Sequence, residues 1–142
     1  MRISNERVSY RPFWLCLALI VLLLLQACSA SDVPRMPPQH WQDAEIAVET
    51  RPLQVRPGMN EFLVIATNAR GLPVHDMVVS LRMDQADPWS QTIQDGHSGV
   101  FRRAINVEVG QDVVFVQLRR EAEEITLEYS LKPVLQSVTG GN

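Results

Sequence analysis

An imidazole and a thioether stand two residues apart at one place in the 142-residue sequence, His75-Asp76-Met77. In an extended segment, residues two apart share a face, so His75 and Met77 are expected to project to one side. His97, Met59 and Met83 would approach them across neighbouring turns. Imidazole combined with soft thioether suits copper, and cuprous ion above all. The plainer alternative is that His75 and His97 are ordinary turn residues. Met83 continues the apolar alternation of Val79 and Leu81, which makes it a core methionine. Copper held by His75, Met77 and His97 is therefore the second functional expectation and not the first.

Other chemistries lack their parts. There is no Gly-x-Ser-x-Gly, and the three histidines, His40, His75 and His97, have no matching serine, so no enzyme is expected. Glu123-Glu124 and Asp84 with Asp87 fall in polar turns and are expected to be solvated surface charge. No glycine-rich phosphate loop occurs. The whole chain carries 13 Lys+Arg and 16 Asp+Glu. Removing Arg2, Arg7, Arg11 and Glu6 leaves 10 against 15 from Cys28 onward, a formal net charge of −5 with Lys132 as the single lysine. Such a domain is a poor partner for a polyanion, and no nucleic acid is expected.

The first 27 residues are expected to be an address and not part of the fold. Phe13 to Leu25 form an unbroken apolar block behind Arg2, Arg7 and Arg11, followed by the small residues Ala27, Cys28, Ser29 and Ala30. The block falls short of the roughly 20 apolar residues that span a bilayer, and its layout is that of a signal peptide. Leu25-Gln26-Ala27-Cys28 resembles a bacterial lipobox. That resemblance implies that Cys28 becomes the acylated first residue of the mature protein, held at a lipid bilayer by several acyl chains. An uncleaved anchor and simple secretion remain as alternatives, and all three export the domain. Ser29 after the cysteine resembles the sorting pattern of enteric outer-membrane lipoproteins, which implies a position facing the periplasm. Cys16 lies in the leader and Cys28 is consumed by lipid, so the mature chain can form no disulfide.

From Cys28 to Gln42 the composition shifts to Ser, Pro and polar residues, and Pro34, Pro37 and Pro38 favour an extended linker. Met36, His40 and Trp41 within it are expected either to dock on the domain or to be solvated. From residue 43 to 133, Gly58, Gly71, Gly96, Gly99 and Gly110 punctuate apolar runs without interrupting any. This rhythm predicts an all-β sandwich of seven or eight short strands. Ile125, Leu127, Tyr129 and Leu131 alternate with polar residues, as do Val79, Leu81 and Met83 with Val78, Ser80 and Arg82. Phe62 to Ala66 and Val113 to Val116 are continuous and are expected to be central strands. Ile46 to Thr50 and Leu53 to Val55 are expected to form a first strand broken at Pro52. Ser90 to Gln94 and Val100 to Val107 flank a turn at Asp95-Gly96. Residues 134–142 are expected to be a C-terminal tail.

Gly58-Met59-Asn60, Asn68 to Val74 leading into Val78 to Leu81, Gly99-Val100-Phe101, and Val109-Gly110 ahead of Val113 to Leu118 resemble the bacterial immunoglobulin-like domains of the FixH and YtkA type. The resemblance spans about Val48 to Arg119. It implies an immunoglobulin-like β-sandwich, and it connects the copper expectation to accessories of respiratory oxidase assembly; His-x-Met pairs are similar to those of periplasmic copper carriers. The first functional expectation is a noncatalytic envelope lipoprotein that binds another envelope protein, with Trp89 in Asp87-Pro88-Trp89 as the candidate exposed aromatic anchor; the plainer alternative is that Trp89 caps one open end of the core. Arg102-Arg103 and Arg119-Arg120 are expected to pair with the abundant carboxylates.

Overall fold

Alternation of apolar and polar residues over short segments dictates strands with one covered face, and such strands assemble into two packed sheets. The computed structural model describes residues 34–135; the leader, Cys28 and the chain after Leu135 lie outside the described residues. Nine strands are present: β1 (Gln39–Trp41), β2 (Ala44–Arg51), β3 (Gly58–Asn68), β4 (Val78–Arg82), β5 (Ser90–Gln91), β6 (Ile93–Gln94), β7 (Val100–Val107), β8 (Val113–Arg120) and β9 (Glu123–Ser130). One sheet has the order β1-β2-β3-β7-β6 and the other β5-β4-β8-β9. Every neighbouring pair is antiparallel. The result is an all-β sandwich of immunoglobulin-like character, and among the described residues no helix is long and apolar enough to cross a membrane.

The expected inward faces are the buried ones. Val79, Leu81 and Met83 are buried, as are Leu127, Tyr129 and Leu131, so Met83 is a core methionine. They meet Ile46, Val48, Phe62, Val64 and Phe101 from the opposite sheet in a single apolar cluster. The two continuous runs lie on β3 and β8, which are interior strands of their sheets. Leu63, on the outer side of β3, is still only 5% exposed.

Polar groups inside this layer are satisfied locally. Tyr129 donates its hydroxyl to the Ile46 carbonyl at 2.7 Å, a bond that joins the two sheets. Asn60 is buried and pins the Arg56–Gly58 turn, donating from Nδ2 to the Arg56 and Gly58 carbonyls at 2.7 and 2.8 Å.

Several boundaries differ from expectation. The linker ends early: Gln39–Trp41 pair with Ile46, Glu45 and Ala44, and Met36 is buried in the core. The hairpin that allows this turns through Gln42, at a φ of 54°, and Asp43. Left-handed glutamine carries no sequence signal of the Asn-Gly kind. The segment Leu53 to Val55 does not continue β2; the Leu53 carbonyl accepts from Thr50 Oγ1 at 3.2 Å, and Val55 is held by a bridge to Leu135 and donates its amide to the Val134 carbonyl at 2.7 Å. The same contact buries Val134, so the tail begins later than residue 134. Ser90 to Gln94 is not one strand, because the chain changes sheets at Thr92. Its amide and hydroxyl both donate to the Val79 carbonyl at 2.9 Å.

Burial raises the Tyr129 pKa from 10.0 to about 12. Because the folded state holds the proton more tightly, this contribution to stability is complete below pH 10 and is lost as pH rises through about 12. Denaturant unfolding of Tyr129→Phe should show a loss of about 1 kcal/mol at pH 7 for the missing hydrogen bond. Its stability should also fall less steeply than that of the native chain above pH 10, and equal slopes would contradict the assignment.

Candidate functional site

Strand β3 runs from Gly58 to Asn68, and its last turn of pairing positions the histidines. Ala66 donates its amide to the Gly99 carbonyl at 2.8 Å, and its own carbonyl accepts from the Val74 amide at 2.9 Å. One residue of β3 thus fixes both the segment leading to His75 and the segment following His97. Gly99 permits this approach on two counts. Its φ is +72°, and a Cβ at this position would lie 2.5 Å from the Ala66 carbonyl oxygen and 3.0 Å from Pro73 Cβ. Gln94, at the end of β6, donates from Nε2 to the His75 carbonyl at 2.9 Å and links the two loops again.

The consequence is that His75 and His97, 22 positions apart in the chain, face one another with ring centroids 4.8 Å apart and planes at 79°. Both are exposed. Met77 is not with them. The chain bends at Asp76 and Met77 instead of running extended, so the shared face expected of residues two apart is lost and Met77 is buried at 7% exposure. Met59, at 61% exposure, sits at the opposite end of β3. Among the described residues no three His, Cys, Asp or Glu side chains gather in a metal-holding group.

Beside the histidines lies a charged clamp. Arg120, at the end of β8, contacts Asp43 through Nη1 and Asp76 through Nη2 and Nε, the latter two at 2.7 and 2.9 Å. Its side chain is only 19% exposed, so the pair is partly shielded from water. The guanidinium holds the Asp76 carboxyl below its ordinary pKa of 3.8, chiefly by hydrogen bonding. Asp43 and Asp76 in turn raise the Arg120 pKa. The clamp ties the β1–β2 turn and the β3–β4 loop to β8.

Trp89 is half-buried, and one face of its ring is taken by Arg82, whose Cζ lies 4.1 Å from the ring centroid. Arg82 also lies 5.7 Å from the Phe115 ring centroid. This stack accounts for a tryptophan at a loop exit: the cation is attracted to the ring face and the indole covers it. The Arg82 Nε within it has no hydrogen-bond partner.

Part of β7 has open backbone. Strand β6 pairs only Ile93 and Gln94 with Arg102 and Phe101, so among the described residues Arg103 to Val107 have no paired strand on that side. The Asp95 amide bonds to the Val100 carbonyl, so even-numbered residues of β7 direct their backbone groups away from β3. By the same alternation, Ala104 and Asn106 present N–H and C=O to the free edge. A groove of about 470 Å³ beside it is lined by Glu61, Ile93, Arg102, Arg103 and Ala104, with Ile93 67% exposed. Arg102 lies 3.9 Å from Asp95, whereas Arg103 forms no ion pair among the described residues. Sequence reading missed this edge because Val100 to Val107 resembles any alternating strand. The truncation of its neighbour comes from the sheet change at Thr92, which has no glycine or proline to mark it.

No protein-family model matches the chain, and no curated protein or solved structure matches it.

Two substitutions test this geometry. Gly99→Ala should cost about 2 kcal/mol or more, from left-handed strain and the backbone clash, and should lower the melting temperature measured by circular dichroism. An unchanged melting temperature would contradict the close approach at Ala66. Arg120→Gln should cost about 1 kcal/mol at neutral pH, the upper end for a partly exposed pair. Because a lowered carboxyl pKa stabilises above its unfolded value and this is lost on acidification, the difference between the native chain and Arg120→Gln should shrink below about pH 3.8.

Proposed function

We propose that this protein is a noncatalytic cell-envelope lipoprotein, anchored through acylated Cys28 and presenting its sandwich on the periplasmic side of the outer membrane as a protein-binding module. The observation that carries the binding role is the open half of β7. Among the described residues, Ala104 and Asn106 direct backbone donors and acceptors to a side of β7 where no strand pairs with them. An extended segment of a partner would add there as a further strand, with main-chain hydrogen bonds for affinity and side-chain pockets for specificity. Exposed Ile93 offers an apolar contact, and Arg102 with Arg103 favour carboxylates in the incoming strand. The partner is thus expected to offer alternating aliphatic and acidic residues.

The lipobox-like Leu25-Gln26-Ala27-Cys28 supports the anchored location, and a turn pattern that resembles FixH- and YtkA-type domains supports an accessory role. The Arg82 stack makes Trp89 a weaker candidate anchor than Ile93. Metal handling of the thioether kind has less support, since Met77 packs in the core.

A photo-crosslinking residue at position 104, in intact cells, should capture a discrete partner that a residue at position 126 on β9 does not. Asn106→Pro, which removes one edge donor, should abolish that capture while leaving the melting temperature within a few degrees. Equal capture from both positions, or capture that survives Asn106→Pro, would overturn edge binding. Incorporation of labelled palmitate that Cys28→Ala eliminates is the accompanying result for the anchor; label retained in Cys28→Ala would overturn it.

A further inference from the structure

We propose that His75 and His97 together form a binding site for a divalent first-row transition cation, with Cu²⁺ preferred over Ni²⁺ and Zn²⁺. The inference is independent of edge binding at β7.

The argument starts from the pair's geometry. Imidazole nitrogens bind such ions at about 2.0–2.1 Å, so two rings held cis on one ion have centroids roughly 4.5–5 Å apart. The rings of His75 and His97 already stand 4.8 Å apart, with planes steeply inclined. The present contact is edge to face, so the side chains would rotate to turn one nitrogen of each ring toward a shared ion while the loops keep their separation.

The spacing is also built into the backbone. Ala66 bonds to both flanking segments, Gly99 allows them to approach, and Gln94 ties the His75 carbonyl to the strand that leads into the His97 turn. Fixing two ligands in advance removes the loop-ordering entropy that a flexible pair would lose on chelation.

The surroundings choose the kind of ion. Nearby carboxylates are engaged elsewhere, Asp76 by Arg120 and Asp95 within 3.9 Å of Arg102. Among the described residues no third His, Cys, Asp or Glu joins the pair, so water would complete the coordination shell. Two neutral imidazoles without a carboxylate cage select against calcium and magnesium. Without a thioether they favour divalent copper over the cuprous ion, and the Irving–Williams order places Cu²⁺ above Ni²⁺ and Zn²⁺. Met77, which the linear spacing offered as the soft ligand, is withdrawn into the core.

The test is calorimetric titration of the full chain in detergent with Cu²⁺, carrying Cys16→Ser and Cys28→Ser in every arm so that no thiol competes. One ion per chain is expected. His75→Ala and His97→Ala should each weaken binding at least tenfold, and the double variant should be little worse than either single one, because a chelate is lost with its first arm. His40→Ala should leave affinity unchanged. Electron paramagnetic resonance of the bound Cu²⁺ should show coupling to two imidazole nitrogens in the native sequence and to no more than one in each single variant. Losses below tenfold, additive losses, a dominant effect of His40→Ala, or a single-nitrogen spectrum in the native sequence would each overturn the proposal.

Discussion

The apolar layer between the two sheets is the constraint on which the rest of the structure depends. The described chain contains no cysteine, so nothing covalent holds the sheets together. Packing of β-branched and aromatic residues must supply the attraction, and any polar atom taken into the layer must find its partner there. Tyr129 illustrates both demands. Its ring fills the centre of the layer, and its hydroxyl reaches through to the backbone of β2. Thr92 meets the same demand at the margin, where its hydroxyl returns to Val79 as the chain passes from one sheet to the other.

That passage shapes the surface as well as the core. By changing sheets at Thr92 the chain closes one side of the sandwich with two very short strands, which blunts the edges they cover. The cost is that β6 ends after two residues and leaves part of β7 open. The opposite margin is treated differently. β9 is a full-length edge strand bearing Glu123, Glu124 and Glu128, and the β1 hairpin reaches over it through Gln39 and Gln42. One margin carries glutamates and is touched by the β1 hairpin; the other carries Arg102 and Arg103 and is covered by β6 over two residues.

How much of this was legible depended on whether the cause was local. Ile125, Leu127, Tyr129 and Leu131 announce their face by strict alternation, and the continuous run at Phe62 to Ala66 announces an interior strand, because burial acts on each side chain separately. Strand β1 did not announce itself: three residues beside prolines carry little pattern, and its turn relies on Gln42 in a conformation that glutamine seldom adopts. Glu121, at a φ of 55°, closes the β8–β9 hairpin in the same unusual way, although charge there had marked a turn. For the candidate site, His75 and His97 were visible as residues but not as a pair. Their meeting depends on Ala66 and Gly99, which are unremarkable in the sequence. Met77 was misplaced because spacing by two implies a shared face only where the backbone is extended, and here it bends.

Strand β1 has a mechanical consequence. A pull applied at Pro34 would be borne first by the seat of Met36 and by the three pairs of β1 with β2. Under load this segment would peel away while β2 to β9 stayed folded, paying out roughly 3.3–3.6 Å of chain for each residue released. Detachment would also withdraw Gln39 from the Glu128 carbonyl and bare the acidic margin of β9. Release of β1 would also leave Ala44 to Ile46 of β2 without their partners, so three short pairs set how much backbone this margin of the sandwich shows to its surroundings.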